Sequence, residues 1–272
     1  MTTDPNQINI LWTGGWDSTY RLFYLIVVKN AVVQPYYIID HRRKSVPNEL
    51  KAMEKIRHIF IKTYPGKSNQ LLPTIITEKK QIKKNKAITH KFYGIAKTSR
   101  VTLGSQLDWL ARFAHEQGLY GLEICHEKKP SPSAFDLLLL PELIGKGHDC
   151  KLQENLNNQD LSIFKYFRFP TVHLTKQDME RLAVENSFSH IMKLTWFCHK
   201  PVKGSMPCGR CHPCEMARKT GMTDNFAKPN FIRDQYLDSV FFLKKLAVTV
   251  IRKFTLWLGR NILTLKKYFT GQ

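Results

Sequence analysis

The stretch Ile8-Asn9-Ile10-Leu11-Trp12-Thr13-Gly14-Gly15-Trp16-Asp17-Ser18-Thr19-Tyr20 passes from a short apolar strand, through two adjacent glycines, into a segment that reads as a buried helix as far as residue 28. That order makes the intervening loop a phosphate cradle. Two glycines allow backbone conformations that a side chain forbids, so successive N–H groups converge on an anion. The start of the following helix adds unpaired amides and a partial positive charge, with the hydroxyls of Thr13, Ser18 and Thr19 within reach. The loop lacks the closing Gly-Lys-Ser/Thr of a Walker motif and the GxGxxG of dinucleotide binders. An ordinary tight turn also places two glycines after a strand, so the loop by itself leaves that reading open.

Outward from the loop the pattern alternates. Strands are expected at residues 8–11, 33–39, 74–77 and 119–125, and helices at 19–28, 47–63, 107–117 and 175–185. Strands separated by helices of this length imply an α/β fold with a parallel sheet covered on both faces. Ligands on such sheets bind beyond the carboxyl ends of the strands, where Thr13 to Ser18 would lie. Residues 130–165 are too irregular to assign.

Near the other end, Cys198, Cys208, Cys211 and Cys214 fall within seventeen positions. Two-residue gaps let neighbouring thiolates point at one ion while the amides between them bond the sulfurs, and Cys198 completes a four-thiolate tetrahedron from across the 200–206 loop. Zn2+ is the default occupant; an iron–sulfur cluster and a pair of disulfides are the alternatives. The opening Met1-Thr2-Thr3-Asp4 has no basic-then-apolar signal segment, which favours a reducing, cytoplasmic setting over disulfides. A full thiolate set leaves no open position for water, so the site reads as structural, with His199 and His212 outside the ligand set. Cys125 and Cys150 read as buried free thiols.

Thr13 to Ser18 resembles the SGGxDS loop of the PP-loop ATP pyrophosphatases, with Thr for the first Ser. Paired with the Cys-x9-Cys-x2-Cys-x2-Cys knuckle, the chain is similar to the zinc-containing 7-cyano-7-deazaguanine synthase branch of that superfamily. Phe169-Pro170-Thr171 with Leu174-Thr175-Lys176 through Ala183, Thr195-Trp196 ahead of Cys198, Glu215-Met216-Ala217-Arg218 after Cys214, and Arg100 with the 107–125 block extend the likeness over roughly residues 8 to 220. The chain departs from the family at Val101, where Asn is usual, and at Asp40-His41-Arg42-Arg43-Lys44.

The resemblance implies an adenine nucleotide alpha hydrolase-like, Rossmann-like domain over residues 1–232, with the zinc knuckle at 195–218. It implies ATP on Thr13, Gly14, Gly15, Trp16, Asp17, Ser18 and Thr19, with Mg2+ held or the loop oriented by Asp17. Asp17, Ser18 and Arg100 would form the catalytic group, Arg100 neutralising phosphate or substrate charge. The reaction implied is a C–N ligation: a small-molecule carboxylate, such as a deazapurine, attacks the α-phosphate, pyrophosphate leaves, and an amine or ammonia displaces AMP. Cys125 as a thiol-carrying nucleophile would belong to the tRNA-thiolating relatives.

Forty-two basic against twenty-two acidic residues give the 272-residue chain a net charge of +20. A positive surface attracts any polyanion, so charge alone does not choose among nucleotide, nucleic acid and anionic membrane. One basic segment, residues 79–100, has eight Lys and Arg and reads as a mobile loop over the ATP site; Phe92 and Tyr93 within it give a second reading, stacking on RNA bases. The other is residues 233–272, where Ala247, Ile251, Phe254, Leu258, Ile262, Leu265 and Phe269 recur at helical spacing. The expected basic amphipathic helix, strongest over 244–267, would pack on its own domain, join a homodimer, or lie on anionic lipid, placing the protein peripherally at a membrane. A tRNA-modifying enzyme, or a non-catalytic binding module built on knuckle and tail, are the other functional classes.

Overall fold

The computed structural model describes residues 7–99, 101, 103–202 and 206–219. Arg100 lies outside the described residues, as does the expected tail helix of 233–272 with its boundary at 232. In chain order the elements are β1 (Gln7–Leu11), α1 (Trp16–Phe23), β2 (Val32–Ile39), α2 (Val46–Thr63), β3 (Ile75–Glu78), α3 (Lys86–Ser99), α4 (Gln106–Glu116), β4 (Leu122–Glu123), α5 (Ala134–Leu139), β5 (Leu143–Ile144), β6 (Lys151–Leu152), β7 (Phe167–Arg168), α6 (Lys176–Glu185), α7 (Ser189–Met192) and α8 (His212–Lys219).

One seven-stranded sheet runs β3-β2-β1-β4-β7-β6-β5. Its first five strands are parallel, and β6 pairs antiparallel with both β7 and β5. The α/β reading with a mostly parallel sheet therefore holds. Alternation along β2 explains the cover on both faces. Tyr36 and Ile38 join a core with α3, α4 and the 161–169 segment, whereas Val33 and Tyr37 join a second core with α1, α2, α6 and α7. The chain order reverses between β1 and β4, which puts a switch-point crevice at the carboxyl end of β1.

Three expectations are corrected. The described part of the basic segment, residues 79–99, is not a loop over the glycine turn: Lys86–Ser99 is α3, packed on α4 and on a 3-10 helix at Gln159–Tyr166. Ile88, Phe92 and Ile95 are buried along its inner face. Three such side chains contribute roughly 5 kcal/mol, more than the ~1 kcal/mol cost of Gly94 inside the helix. A Cβ at Gly94 would meet the Asp160 carboxylate, the movable end of a side chain, which would have to swing aside. Phe92 is thus a core residue and unavailable to a base, while Tyr93 is exposed.

The strand expected at 119–125 shrinks to Leu122–Glu123, because Gly118 and Gly121 take positive φ values of 62° and 80° and spend residues 118–121 on the turn out of α4. The first helix begins earlier than expected, at Trp16, and its continuation from Tyr24 to Val28 winds as a π-helix. Among the described residues no helix is long and apolar enough to cross a membrane.

Candidate functional site

The glycine loop leaves β1 at its carboxyl end and turns on Gly14, whose φ is +66°. A Cβ at Gly14 would lie 3.1 Å from the Glu49 carbonyl oxygen and from Met53 Cγ, so α2 presses directly against the turn. Gly15 is the N-cap of α1 and supplies no side-chain cap; the first intrahelical bond is Thr19 N–H to the Gly15 carbonyl at 3.0 Å. The opening amides of α1 therefore have no capping side chain, the arrangement that accepts an anion.

Ser18 is buried with its hydroxyl 3.5 Å from the Gly15 carbonyl, and Thr13 is partly buried beside Gly15. Thr19 departs from expectation. It is fully buried, and its Oγ1 accepts a 3.0 Å bond from Trp12 Nε1, so it serves the core rather than the loop mouth.

Two groups distant in sequence meet Asp17. Lys176 Nζ, at the start of α6, lies 3.8 Å from Asp17 Oδ1 and 3.6 Å from Glu127 Oε2. The position of Lys176 follows from a capping box, in which the Thr175 hydroxyl accepts from the Asp178 amide and the Asp178 carboxylate accepts from Thr175. Glu127 follows β4. Its segment is held by Thr171 Oγ1 donating to the His126 carbonyl at 3.1 Å and by the Lys128 amide donating to the Leu174 carbonyl at 2.8 Å.

His126 Nε2 is 3.0 Å from Asp136, whose carboxylate also accepts from Ser133 and is held below the usual range: burial opposes this, but the Ser133 and His126 contacts outweigh it. Asp17 Oδ1 is buried and takes no hydrogen bond, 3.8 Å being too long for one. Burial, and next the charge of Asp17, raise the pKa of Glu127, with Lys176 opposing. The pair is thus an electron-rich edge with one cation between its members. Beneath it, Arg21 of α1 grips Glu123 of β4 in a buried bidentate pair at 2.8 and 2.6 Å, fixing the helix to the neighbouring strand.

The four cysteines converge. Their sulfurs all lie within 4.8 Å of one another, with Cys208 to Cys214 at 3.8 Å, Cys211 to Cys198 at 3.9 Å and Cys211 to Cys214 at 3.4 Å. Sulfurs ~2.3 Å from a tetrahedral zinc stand about 3.8 Å apart. Disulfide sulfurs would be about 2.05 Å apart, which removes the disulfide alternative. Backbone amides already donate to the sulfurs: Cys208 N–H to Cys198 Sγ at 3.1 Å, and Arg210 and Cys211 N–H to Cys208 Sγ at 3.4 and 3.3 Å. Such donors favour the thiolate form that a metal needs. His199 and His212 are exposed and outside the cluster.

No family model matches the chain, and no curated protein is significantly similar to it. What connects the two sites is internal. The Trp196 amide donates to the Gly14 carbonyl at 2.8 Å, and its indole donates to the Cys198 carbonyl at 2.8 Å. One residue therefore ties the glycine turn to the first cysteine of the cluster.

Sequence reasoning did not assign Glu127 a role, nor Lys176 or Trp196 a contact. A carboxylate just past the end of a central strand, and a lysine opening a helix behind a Thr-x-x-Asp box, were the available signals. Cys125 does not offer a reactive thiolate: burial first, and then Glu123, push its thiol well above the ordinary range. Cys150 is a buried free thiol as expected, while Cys125 is partly exposed as a residue.

Proposed function

We propose that the protein is an ATP-dependent C–N ligase of the PP-loop type, similar to 7-cyano-7-deazaguanine synthase, that forms AMP and pyrophosphate. The observation that carries this reading is the uncapped α1 start beneath a left-handed Gly14 at the switch point of a parallel sheet, with Trp196 joining it to a four-thiolate cluster. The opening amides of α1 receive the phosphates of ATP, and Lys176, held between Asp17 and Glu127, adds a positive charge near them. Mg2+ suits the carboxylates of Asp17 and Glu127, whose oxygens are the hard ligands that ion takes and of which one, Asp17 Oδ1, lacks a hydrogen bond. When bound it supplies charge neutralisation on the phosphates.

The acceptor carboxylate attacks the α-phosphorus, the bond to the bridging oxygen breaks, and pyrophosphate departs with the electron pair. An amine then attacks the acyl carbon and AMP leaves. No covalent enzyme nucleophile is needed, since positioning and charge stabilisation carry both transfers. Zn2+ on Cys198, Cys208, Cys211 and Cys214 would keep the Trp196 amide on the loop, a structural duty.

Carboxylate-dependent exchange of labelled pyrophosphate into ATP tests the adenylation step. A library of small carboxylates should contain acceptors that stimulate exchange in the wild type and not in Asp17→Asn. Exchange that is equal in that variant would overturn the assignment of Asp17.

A further inference from the structure

At the amino ends of β1, β4 and β7, on the edge of the sheet away from the glycine loop, lies a second cleft of about 730 Å³. Its volume falls within the range of pockets that take a small ligand, and it is open to solvent. Both of its carboxylates are committed: Glu123 to Arg21, and Asp149 to Arg168. Lys29, Lys146, Lys151 and Lys165 also line it, all four exposed, and among the described residues no carboxylate pairs with any of them.

Among the described residues the cleft therefore carries four lysines without a carboxylate partner, over a floor whose own charges cancel. A concave wall of one sign concentrates anions far better than the same lysines scattered over a convex surface. At the rim Tyr120 is 69 % exposed, its ring 5.4 Å from that of Tyr166, which leaves a face open to a planar group. His148 Nδ1 is 2.8 Å from the Pro170 carbonyl, and the His148 ring lies 4.5 Å from that of Tyr24.

We propose that this cleft is a second binding site, for a phosphorylated small molecule of nucleotide size, with the four lysines around its phosphates and Tyr120 beside its ring. It stands independently of the reading of the glycine loop, since it shares no residue with it.

Lysine-reactivity mapping tests this directly. The full chain is treated with an amine-acylating reagent with and without ADP, and again with inorganic pyrophosphate, and the modified lysines are read by mass spectrometry. Both probes should protect Lys29, Lys146, Lys151 and Lys165 and leave Lys51 and Lys55 of α2 reactive. In calorimetry with pyrophosphate, Lys151→Ala/Lys165→Ala should lose about tenfold or more in affinity at one class of site, as expected for two deleted charge-assisted contacts, while Lys51→Ala/Lys55→Ala stays at wild-type affinity. Equal protection at Lys51 and Lys55, or equal affinity loss in the two double variants, would reduce the cleft to diffuse surface charge and overturn the proposal. Protection by a single-stranded oligonucleotide at concentrations where ADP and pyrophosphate give none would replace the small ligand with RNA and overturn it equally.

Discussion

As proposed sites for a charged group, the glycine loop and the cysteine knuckle are built in opposite ways. The loop offers backbone: an amide-rich helix start, a left-handed glycine, and helix α2 packed 3.1 Å from where a side chain would be. The knuckle offers side chains, four sulfurs at tetrahedral spacing, with its backbone only bonding them from behind. A backbone site tolerates changes in most neighbours and fails when a glycine gains a Cβ. A side-chain site fails when any one ligand is changed. The Trp196 amide, donating to the Gly14 carbonyl, joins the first to the segment that carries the second.

The largest effect is expected at the knuckle. Cys211→Ser should drop metal content well below the expected one equivalent of zinc per chain. Because structural zinc contributes folding free energy on the order of 10 kcal/mol, the 195–219 segment should become protease-sensitive. Cleavage mapping with metal analysis checks both, and a fully protected, metal-free variant would break the comparison from the knuckle side.

At the loop, Gly14→Ala forces a Cβ into a left-handed conformation costing about 1–2 kcal/mol, before the clash with Glu49 and Met53 is counted. Stability should fall by about 2–3 kcal/mol in denaturant titration, and ATP binding should fall more than ten times as far as in Cys150→Ala, a substitution remote from the loop. Unchanged stability and affinity would mean that the turn is not set by the backbone.

The smallest effect sharpens the link. Trp196→Phe keeps the amide and removes the indole bond to the Cys198 carbonyl, worth about 1 kcal/mol, along with part of the ring. A modest loss of metal affinity should be accompanied by a similar, small loss of ATP affinity; a change in one without the other would show that the two sites are not coupled.

How legible each site was follows from the same contrast. The knuckle is local: four ligands in seventeen residues announce their geometry through spacing alone, and the structure brings together the four expected. Gly14, Gly15 and Asp17 were legible because strand, glycines and helix are contiguous. Glu127 and Lys176 reach Asp17 from more than a hundred residues away, through strand order and a helix cap that no local pattern states.

The alternation of strands and helices likewise fixed the α/β class, while β5 and β6, two residues each, carry no periodicity to read. Residues 79–100 misled for a different reason. Lysine density suggested a solvated loop, yet Ile88, Phe92 and Ile95 recur at helical spacing and those three decide the structure.

Cleavage between the α- and β-phosphates of ATP, proposed for the glycine loop, is met most directly by incubating the full chain with α-labelled ATP, Mg2+ and a panel of small carboxylates with ammonia, then separating the products. Labelled AMP, in step with pyrophosphate and lost in Asp17→Ala, is the predicted result. Labelled ADP as the sole product would contradict the account.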